Sequence, residues 1–261
     1  MQFDELLAGL EQESLVLPSS WGQGRATFGG LVAALVTRRM QQVVAEGRPL
    51  RSLQVSFVGP VAVEQPVRIE VELLREGRAV SQVQGRVVQD GEVKVVVLAS
   101  FGGDRASQVS VAPDRAPEVA APDQLQSLPY MPNLSPEFVQ HIEMRWGFGG
   151  LPFSGQTSRE MGGWMKFRKQ PEAMSDAHLV ALIDAWPPAV LPHLTQPAPA
   201  SSLSWTLEFV YPRPALAADD WLLYRASIDQ AGAGYGHTQA RIWSPGGELV
   251  AISRQTVTVF G

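Results

Sequence analysis

The sequence contains no cysteine, only four histidines and few charged side chains. Without cysteine there is no disulfide framework, no thiolate nucleophile and no thiolate metal site, and no signal-peptide pattern is found, so we expect a cytoplasmic protein. Charged residues make up 18% of the chain, against about 25% in soluble domains generally. With 45% hydrophobic residues, much surface must be buried, and we expect a homodimer or larger homo-oligomer.

Basic clusters and long apolar runs are also missing. The net charge is -5 and the basic residues are scattered, which argues against a nucleic-acid partner. No apolar run approaches the roughly 18 residues of a membrane span. The sequence therefore predicts a protein without nucleic-acid partners and without a membrane span.

Short strands dominate two separate stretches of the chain. Residues 50–101 show β-branched runs separated by turns, and Asp90-Gly91 suits a tight hairpin. Residues 202–260 show four similar strands, and a helix precedes each set, at residues 30–44 and 175–186. Pro60 and Pro214 lie 154 residues apart in equivalent places, which indicates an internal duplication.

The region between the repeats is rich in Pro, Ala, Asp and Ser and lacks periodicity, which is typical of a linker. We therefore expect an N-terminal unit at 1–103, a linker at 104–136 and a C-terminal unit at 137–261. A buried helix followed by an antiparallel meander, occurring twice, predicts an α+β fold with two sheets, each wrapping its own helix. The two units are expected to associate face to face or edge to edge.

Several catalytic motifs are missing. There is no G-x-S-x-G nucleophile elbow, and Gly22-Gln23-Gly24 lacks the third glycine of a dinucleotide fingerprint. The four histidines lie far apart in the sequence, so we expect no metal and no cofactor, and we interpret each histidine as a surface or hydrogen-bonded structural residue.

Asp184 is the most informative polar residue. It lies in an otherwise apolar run, near a predicted helix C-terminus where an acid opposes the helix dipole, so it is either functional or turned to solvent. Gly29 and Gly30 at the start of the first helix leave backbone N–H groups for an anion or simply form a tight turn. Gln255 brings an amide into an apolar strand, where it could orient a water or face the solvent.

Taken together, these segments resemble the double-hotdog acyl-CoA thioesterases, including the type II enzymes and their thioesterase-like relatives. The order of motifs carries the resemblance, which covers nearly the whole chain outside the linker. The matching segments are 28–30, 48–57, 74–78 and 90–101 in the first half and 182–188, 202–209, 221–224 and 250–255 in the second.

The resemblance implies a tandem hotdog fold and the hydrolysis of a fatty acyl-CoA or related acyl thioester. The family's Asp, Thr or Ser, and Gln correspond to Asp184, Ser202 and Gln255, which would orient an attacking water. A small shift in alignment would nominate Ser204 or Thr206 as the hydroxyl. The N–H groups of Gly29 and Gly30 would polarise the thioester carbonyl, and an apolar tunnel between helices and sheet would take the acyl chain.

Two other functions fit the same fold. A hotdog hydratase or dehydratase usually needs a histidine paired with the acid, and no histidine is expected on the Asp184 face of its helix. A non-catalytic acyl-binding protein would keep the tunnel and lack turnover. Arg38 and Arg39 could meet CoA phosphates, although arginines on a helix surface are usually just solvated.

Overall fold

The computed structural model describes residues 1–260, which fold mainly into antiparallel sheet with three α-helices, so the predicted α+β class is confirmed. The helices are α1 (Phe3–Ala8), α2 (Gly29–Gln41) and α3 (Asp176–Ile183). No helix within residues 1–260 is long and apolar enough to cross a membrane. The strands are β1 (Leu15–Val16), β2 (Gly22–Gln23), β3 (Ala26–Thr27), β4 (Leu50–Phe57), β5 (Pro66–Glu76), β6 (Val80–Gln89), β7 (Glu92–Gly102), β8 (Ile142–Phe148), β9 (Glu160–Phe167), β10 (Ala200–Phe209), β11 (Leu222–Gly232), β12 (Tyr235–Trp243) and β13 (Leu249–Val259).

Both predicted helices form, and each ends earlier than expected. Helix α2 ends at Gln41 rather than at residue 44. Ser175 is the N-cap of α3, as predicted, but the helix ends at Ile183 and Asp184 is its C-cap. Pro187 disfavours helical geometry only in Trp186 directly before it, so the end at Ile183 has no explanation in the prolines.

The four strands of each predicted set are present, but neither set is a meander. Strands β5, β6 and β7, and likewise β11, β12 and β13, follow one another as hairpins, whereas the first strand of each set, β4 or β10, pairs with the last, β7 or β13. The connections after β4 and β10, at 58–65 and 210–221, are too long for tight hairpins. The β6–β7 hairpin turns at Asp90 and Gly91, whose φ angles of 54° and 78° are the positive values that this turn requires. Strands β8 and β9 were not predicted. Glycines interrupt their pattern, and at Gly163 a Cβ would lie 2.0 Å from the carbonyl oxygen of Arg145, so a side chain has no room there.

One continuous sheet of eleven strands replaces the two separate sheets that we expected. Its order is β1-β5-β6-β7-β4-β10-β13-β12-β11-β9-β8, and β2 and β3 form a small second sheet. The two sets of strands meet edge to edge where β4 pairs with β10, with Leu53 opposite Leu207. Strands β4 and β10 would each be an open edge of its own set, and their pairing satisfies the backbone groups of both edges.

Helices α2 and α3 pack on each other and share one hydrophobic core with the inward face of the sheet. Helix α2 lies very close to β6. A Cβ at Gly85 would be 2.4 Å from Cγ1 of Val36, so only glycine permits this approach. This packing brings the start of α2 next to the end of α3.

Most of the segment predicted as a linker runs along the outer face of the C-terminal strands without regular structure. The indole Nε1 of Trp243 donates to the Asp114 carbonyl (3.1 Å), and that of Trp164 donates to the Ala120 carbonyl (2.9 Å). Val119 adds to a small cluster with Trp243 on this face. The segment is therefore docked on the sheet at defined points.

Candidate active site

Asp184 lies where the end of α3 meets the start of α2. A Cβ at Gly30 would be 2.8 Å from Cβ of Asp184 and 2.9 Å from the Ala181 carbonyl oxygen, and a Cβ at Gly29 would be 3.1 Å from Oδ2 of Asp184. Two glycines are therefore needed for this close contact. The contact places a carboxyl group against the positive end of a helix dipole.

The carboxyl group of Asp184 is strongly perturbed. Burial raises its pKa to about 7, and hydrogen bonds from the Gln255 side chain and the Gly30 backbone oppose this rise. The residue is nevertheless partly exposed, unlike the buried Ile183 and Ala185 beside it. A carboxyl group with a pKa near neutrality can both accept and return a proton, as general acid–base catalysis requires.

Gln255 is the direct partner of this carboxyl group. Its Nε2 donates to Oδ1 of Asp184 at 2.7 Å. The side chain leaves β13 on the same face as the buried Ser253 and Val257, which is the face that carries the helices. The structure thus brings together Asp184, Gln255 and the two glycines.

The three candidate hydroxyl groups lie on opposite faces of β10. Ser202 is opposite the buried Val257, so it shares the helix-bearing face with Gln255. Ser204 is opposite Thr256 and Thr206 is opposite Arg254, which places both on the outer face. The register shift between Ser202 and Ser204 produces this switch.

Ser202 is close to the site in the sheet but is not bonded to it. Within residues 1–260, no hydrogen bond joins its hydroxyl to Asp184 or Gln255. A water between these groups would need to supply that connection.

The four histidines have structural partners, as predicted. Nε2 of His178 lies 2.8 Å from Oδ1 of Asp4 and its Nδ1 lies 2.7 Å from Oγ of Ser175, so it ties α1 to the start of α3. Burial lowers the pKa of His178 and of His141, which stacks on Trp21. The remaining two histidines contact the Ser158 carbonyl and the Thr256 hydroxyl.

The two arginines considered for CoA differ in their surroundings. Arg39 donates to the Leu10 carbonyl (3.0 Å) and to Oε1 of Gln42 (3.1 Å). Arg38 is exposed on α2. The structure therefore uses one of them to hold the helix to the N-terminal segment.

An aromatic group beside Asp184 was not predicted. The ring of Trp186 stacks on that of Tyr224 with a centroid distance of 5.6 Å, and the ring of Trp146 packs against Trp186 at 4.6 Å, tilted by 58°. Nε1 of Trp186 is buried and has no hydrogen-bond partner among residues 1–260. Burial and the nearby charge of Asp184 raise the pKa of Tyr224. In the sequence, only the position of Trp186 two residues after Asp184 could have indicated an aromatic side chain close to the acid.

The chain matches two family models. Residues 17–102 match the acyl-CoA thioesterase N-terminal domain, and residues 113–259 match the acyl-CoA thioesterase C-terminal domain. A curated relative, acyl-CoA thioesterase 2 of Haemophilus influenzae, is 25% identical over 254 residues, which cover 88% of this chain and 86% of that protein.

Solved structures show the same fold. A hot dog fold protein from Alicyclobacillus acidocaldarius superimposes with a TM-score of 0.83 at 24% identity, covering 95% of this chain and 92% of that one. The tesB protein of Mycobacterium avium subs paratuberculosis gives a TM-score of 0.79 at 20% identity and covers all of both chains.

The chain has a hotdog fold, in which Asp184 and Gln255 form a carboxyl–amide pair where the two long helices meet. With both family models matched in order over most of its length, the chain belongs to the acyl-CoA thioesterase family and is a thioester hydrolase. The resemblance drawn from the sequence is confirmed.

Proposed function

We propose that this enzyme hydrolyses a fatty acyl-CoA, or a related acyl thioester, to the free acid and CoA, with Asp184 as the general base. One observation carries the proposal. Asp184 has a pKa raised to about 7, receives a hydrogen bond from Gln255 and lies at the N-terminus of α2. At neutral pH a substantial fraction of such a carboxyl group is ionised and able to accept a proton.

In the proposed reaction, Asp184 takes a proton from a water molecule while the water oxygen attacks the thioester carbonyl carbon. The carbonyl becomes a tetrahedral oxyanion. Its collapse breaks the C–S bond, and the Asp184 carboxyl group returns the proton to the leaving CoA sulfur. No covalent enzyme intermediate forms, and Gln255 and Ser202 hold the water by hydrogen bonds.

The two glycines have different parts in this proposal. The backbone of Gly30 is engaged with the Asp184 carboxylate. Gly29 therefore remains the better donor to the thioester carbonyl, since the first N–H groups of a helix have no partner within it.

Measuring thiol release from a panel of acyl-CoAs of different chain length tests the activity and its substrate range together. We expect turnover with at least one chain length. Tight binding without thiol release would point to a non-catalytic acyl-binding protein. Hydration of an enoyl-CoA would point to a hydratase, a reaction that the structure disfavours because His178 faces Asp4 rather than Asp184.

We also propose that each half of the sheet wraps its own helix as one hotdog unit, with units at 1–103 and 137–261. Support comes from the repeated order of one helix and four strands and from the packing of α2 on β5 and β6. The cytoplasmic location and the homodimeric or larger assembly stay predictions. Light scattering after size-exclusion chromatography measures the number of chains in the assembly.

A further inference from the structure

Trp205 is a buried residue directly beside the proposed water-binding amide. It is 1% exposed and lies opposite Gln255 in the β10–β13 ladder. Residues directly opposite in an antiparallel pair share one face, with Cβ atoms about 4.5–5.5 Å apart. The indole therefore borders the Gln255 side chain on the helix-bearing face of the sheet.

A buried hydrogen bond fixes the orientation of this indole. Nε1 of Trp205 donates to Oγ of Ser253 at 2.8 Å, and both groups are buried. Ser253 lies two residues before Gln255 on the same face of β13, so the ring extends along the strand from one to the other. Breaking this bond would leave a buried donor unpaired, which is energetically unfavourable.

We propose that Trp205 is a positioning residue for Gln255 and that Ser253 holds it in place. The fixed ring limits the directions open to the Gln255 side chain, so that its amide meets Oδ1 of Asp184 in one geometry. The inference rests on the proposed function, because it assigns importance to the Gln255–Asp184 contact. Neither Trp205 nor Ser253 needs to touch the reacting atoms.

A simple core role for Trp205 predicts different behaviour. Trp205 also pairs with Val55 of β4 at the joint between the halves, so losing it could reduce stability alone. The pKa of Asp184 distinguishes the positioning role from the core role, because the hydrogen bond from Gln255 lowers the pKa of that carboxyl group. A displaced amide therefore raises the pKa of Asp184. The titratable neighbour Tyr224 stays neutral near pH 7, since its own pKa is raised.

The experiment compares Ser253→Ala and Trp205→Phe with two controls. Ser253→Thr keeps the hydroxyl, and Trp243→Phe removes a buried indole whose N–H binds a linker carbonyl on the outer face. For Ser253→Ala and Trp205→Phe we expect kcat to fall about tenfold and KM to stay nearly unchanged. This loss is smaller than the roughly hundredfold loss that a misplacement of about 1 Å can cause. The acidic limb of the pH–rate profile should move to higher pH. Both controls should resemble the wild type.

A double-mutant cycle with Gln255→Ala completes the test. If Trp205 acts through Gln255, then Ser253→Ala or Trp205→Phe will add little to the loss caused by Gln255→Ala. An undiminished further loss in that background, with an unmoved acidic limb, overturns the proposal. If Trp205→Phe does not fold, Ser253→Ala alone provides the comparison with Gln255→Ala.

Titrating the Asp184 carboxyl group by NMR keeps this test independent of turnover. A higher pKa in Ser253→Ala than in the wild type and in Trp243→Phe supports the positioning role even if no acyl-CoA is hydrolysed. An unchanged pKa contradicts it. A wild-type protein that releases no thiol from any acyl-CoA contradicts the proposed function instead.

Discussion

At the scale of single residues, the Asp184 carboxyl group is expected to set the rate of the reaction. Its raised pKa and its bond to Gln255 suit proton transfer, which an amide cannot perform. Asp184→Asn keeps the size of the side chain, so we expect the fold to persist and kcat to fall at least about a hundredfold, the usual contribution of a positioned base. Thiol release and circular dichroism measure the two effects.

The matched control for this substitution is Asp219→Asn, because Asp219 is exposed and lies outside the site. It should keep wild-type turnover. Near-normal hydrolysis by Asp184→Asn would remove the residue from the mechanism.

The same carboxyl group should make the protein less stable as the pH rises. Its pKa is about 7 in the folded protein against an ordinary value of 3.8 for aspartate, so the folded state binds more protons between these values. The contribution of this group to the free energy of unfolding is therefore fully present below about pH 4 and is lost progressively up to about pH 7, by on the order of 4 kcal/mol or less.

Denaturant unfolding at pH 5 and pH 8 checks this linkage. We expect Asp184→Asn to gain stability relative to the wild type on going from pH 5 to pH 8, because the asparagine does not ionise. The Asp219→Asn control should follow the wild type at both values. An equal pH response of all three proteins would contradict a raised pKa at Asp184.

Sequence reasoning could find Asp184 because a lone acid in an apolar run needs a physical reason. It could place Gln255 only through the family resemblance, since a polar residue in a strand ordinarily faces solvent. The unpaired indole of Trp186 was beyond the sequence, because hydrogen-bond satisfaction depends on three-dimensional neighbours.

At the scale of elements, the site depends on how closely α2 approaches α3. Gly30→Ala adds a Cβ that would lie 2.5 Å from Cζ of Phe28 and 2.9 Å from the Ala181 carbonyl oxygen, so the helices must separate. We expect a loss of about 1–3 kcal/mol in unfolding free energy and a fall in kcat as Asp184 moves.

Gly59→Ala is the control for this prediction. A Cβ there would meet only Cδ of Lys94, at 3.4 Å, which is ordinary contact with a flexible side chain. It should change neither stability nor turnover appreciably. Wild-type stability in Gly30→Ala would show that the helix contact is looser than the structure indicates.

Elements with strong local signals were predictable, and the others were not. The hairpin at Asp90-Gly91 and the capped start of α3 follow from local chemistry. Strands β8 and β9 escaped prediction because Gly162 and Gly163, which are required for close backbone approach, weaken the strand pattern. Which edge strands pair with each other, here β4 with β10, depends on the three-dimensional arrangement of the two halves, and a local sequence pattern does not contain that information.

At the scale of the whole molecule, the duplication accounts for the shape of the sheet and the asymmetry of its site. Leu53 and Leu207 are 154 residues apart and directly opposite each other, and Gly30 and Asp184 are separated by the same interval and are in contact. Equivalent positions of the repeats thus meet at the centre of the molecule. One copy supplies a glycine there and the other a carboxyl group.

This arrangement predicts that the two halves unfold together. Leu207 is fully buried at the β4–β10 joint, so Leu207→Ala should cost about 2–5 kcal/mol through lost burial and the cavity left behind. Because the joint belongs to both halves, hydrogen exchange of the slowest amides in β6 and in β12 should accelerate by similar factors. Leu223→Ala provides the comparison, since Leu223 is equally buried but lies in the small outer cluster of the C-terminal half. If Leu207→Ala accelerated exchange only in β12, the halves would be independent folding units and the shared sheet would not couple them.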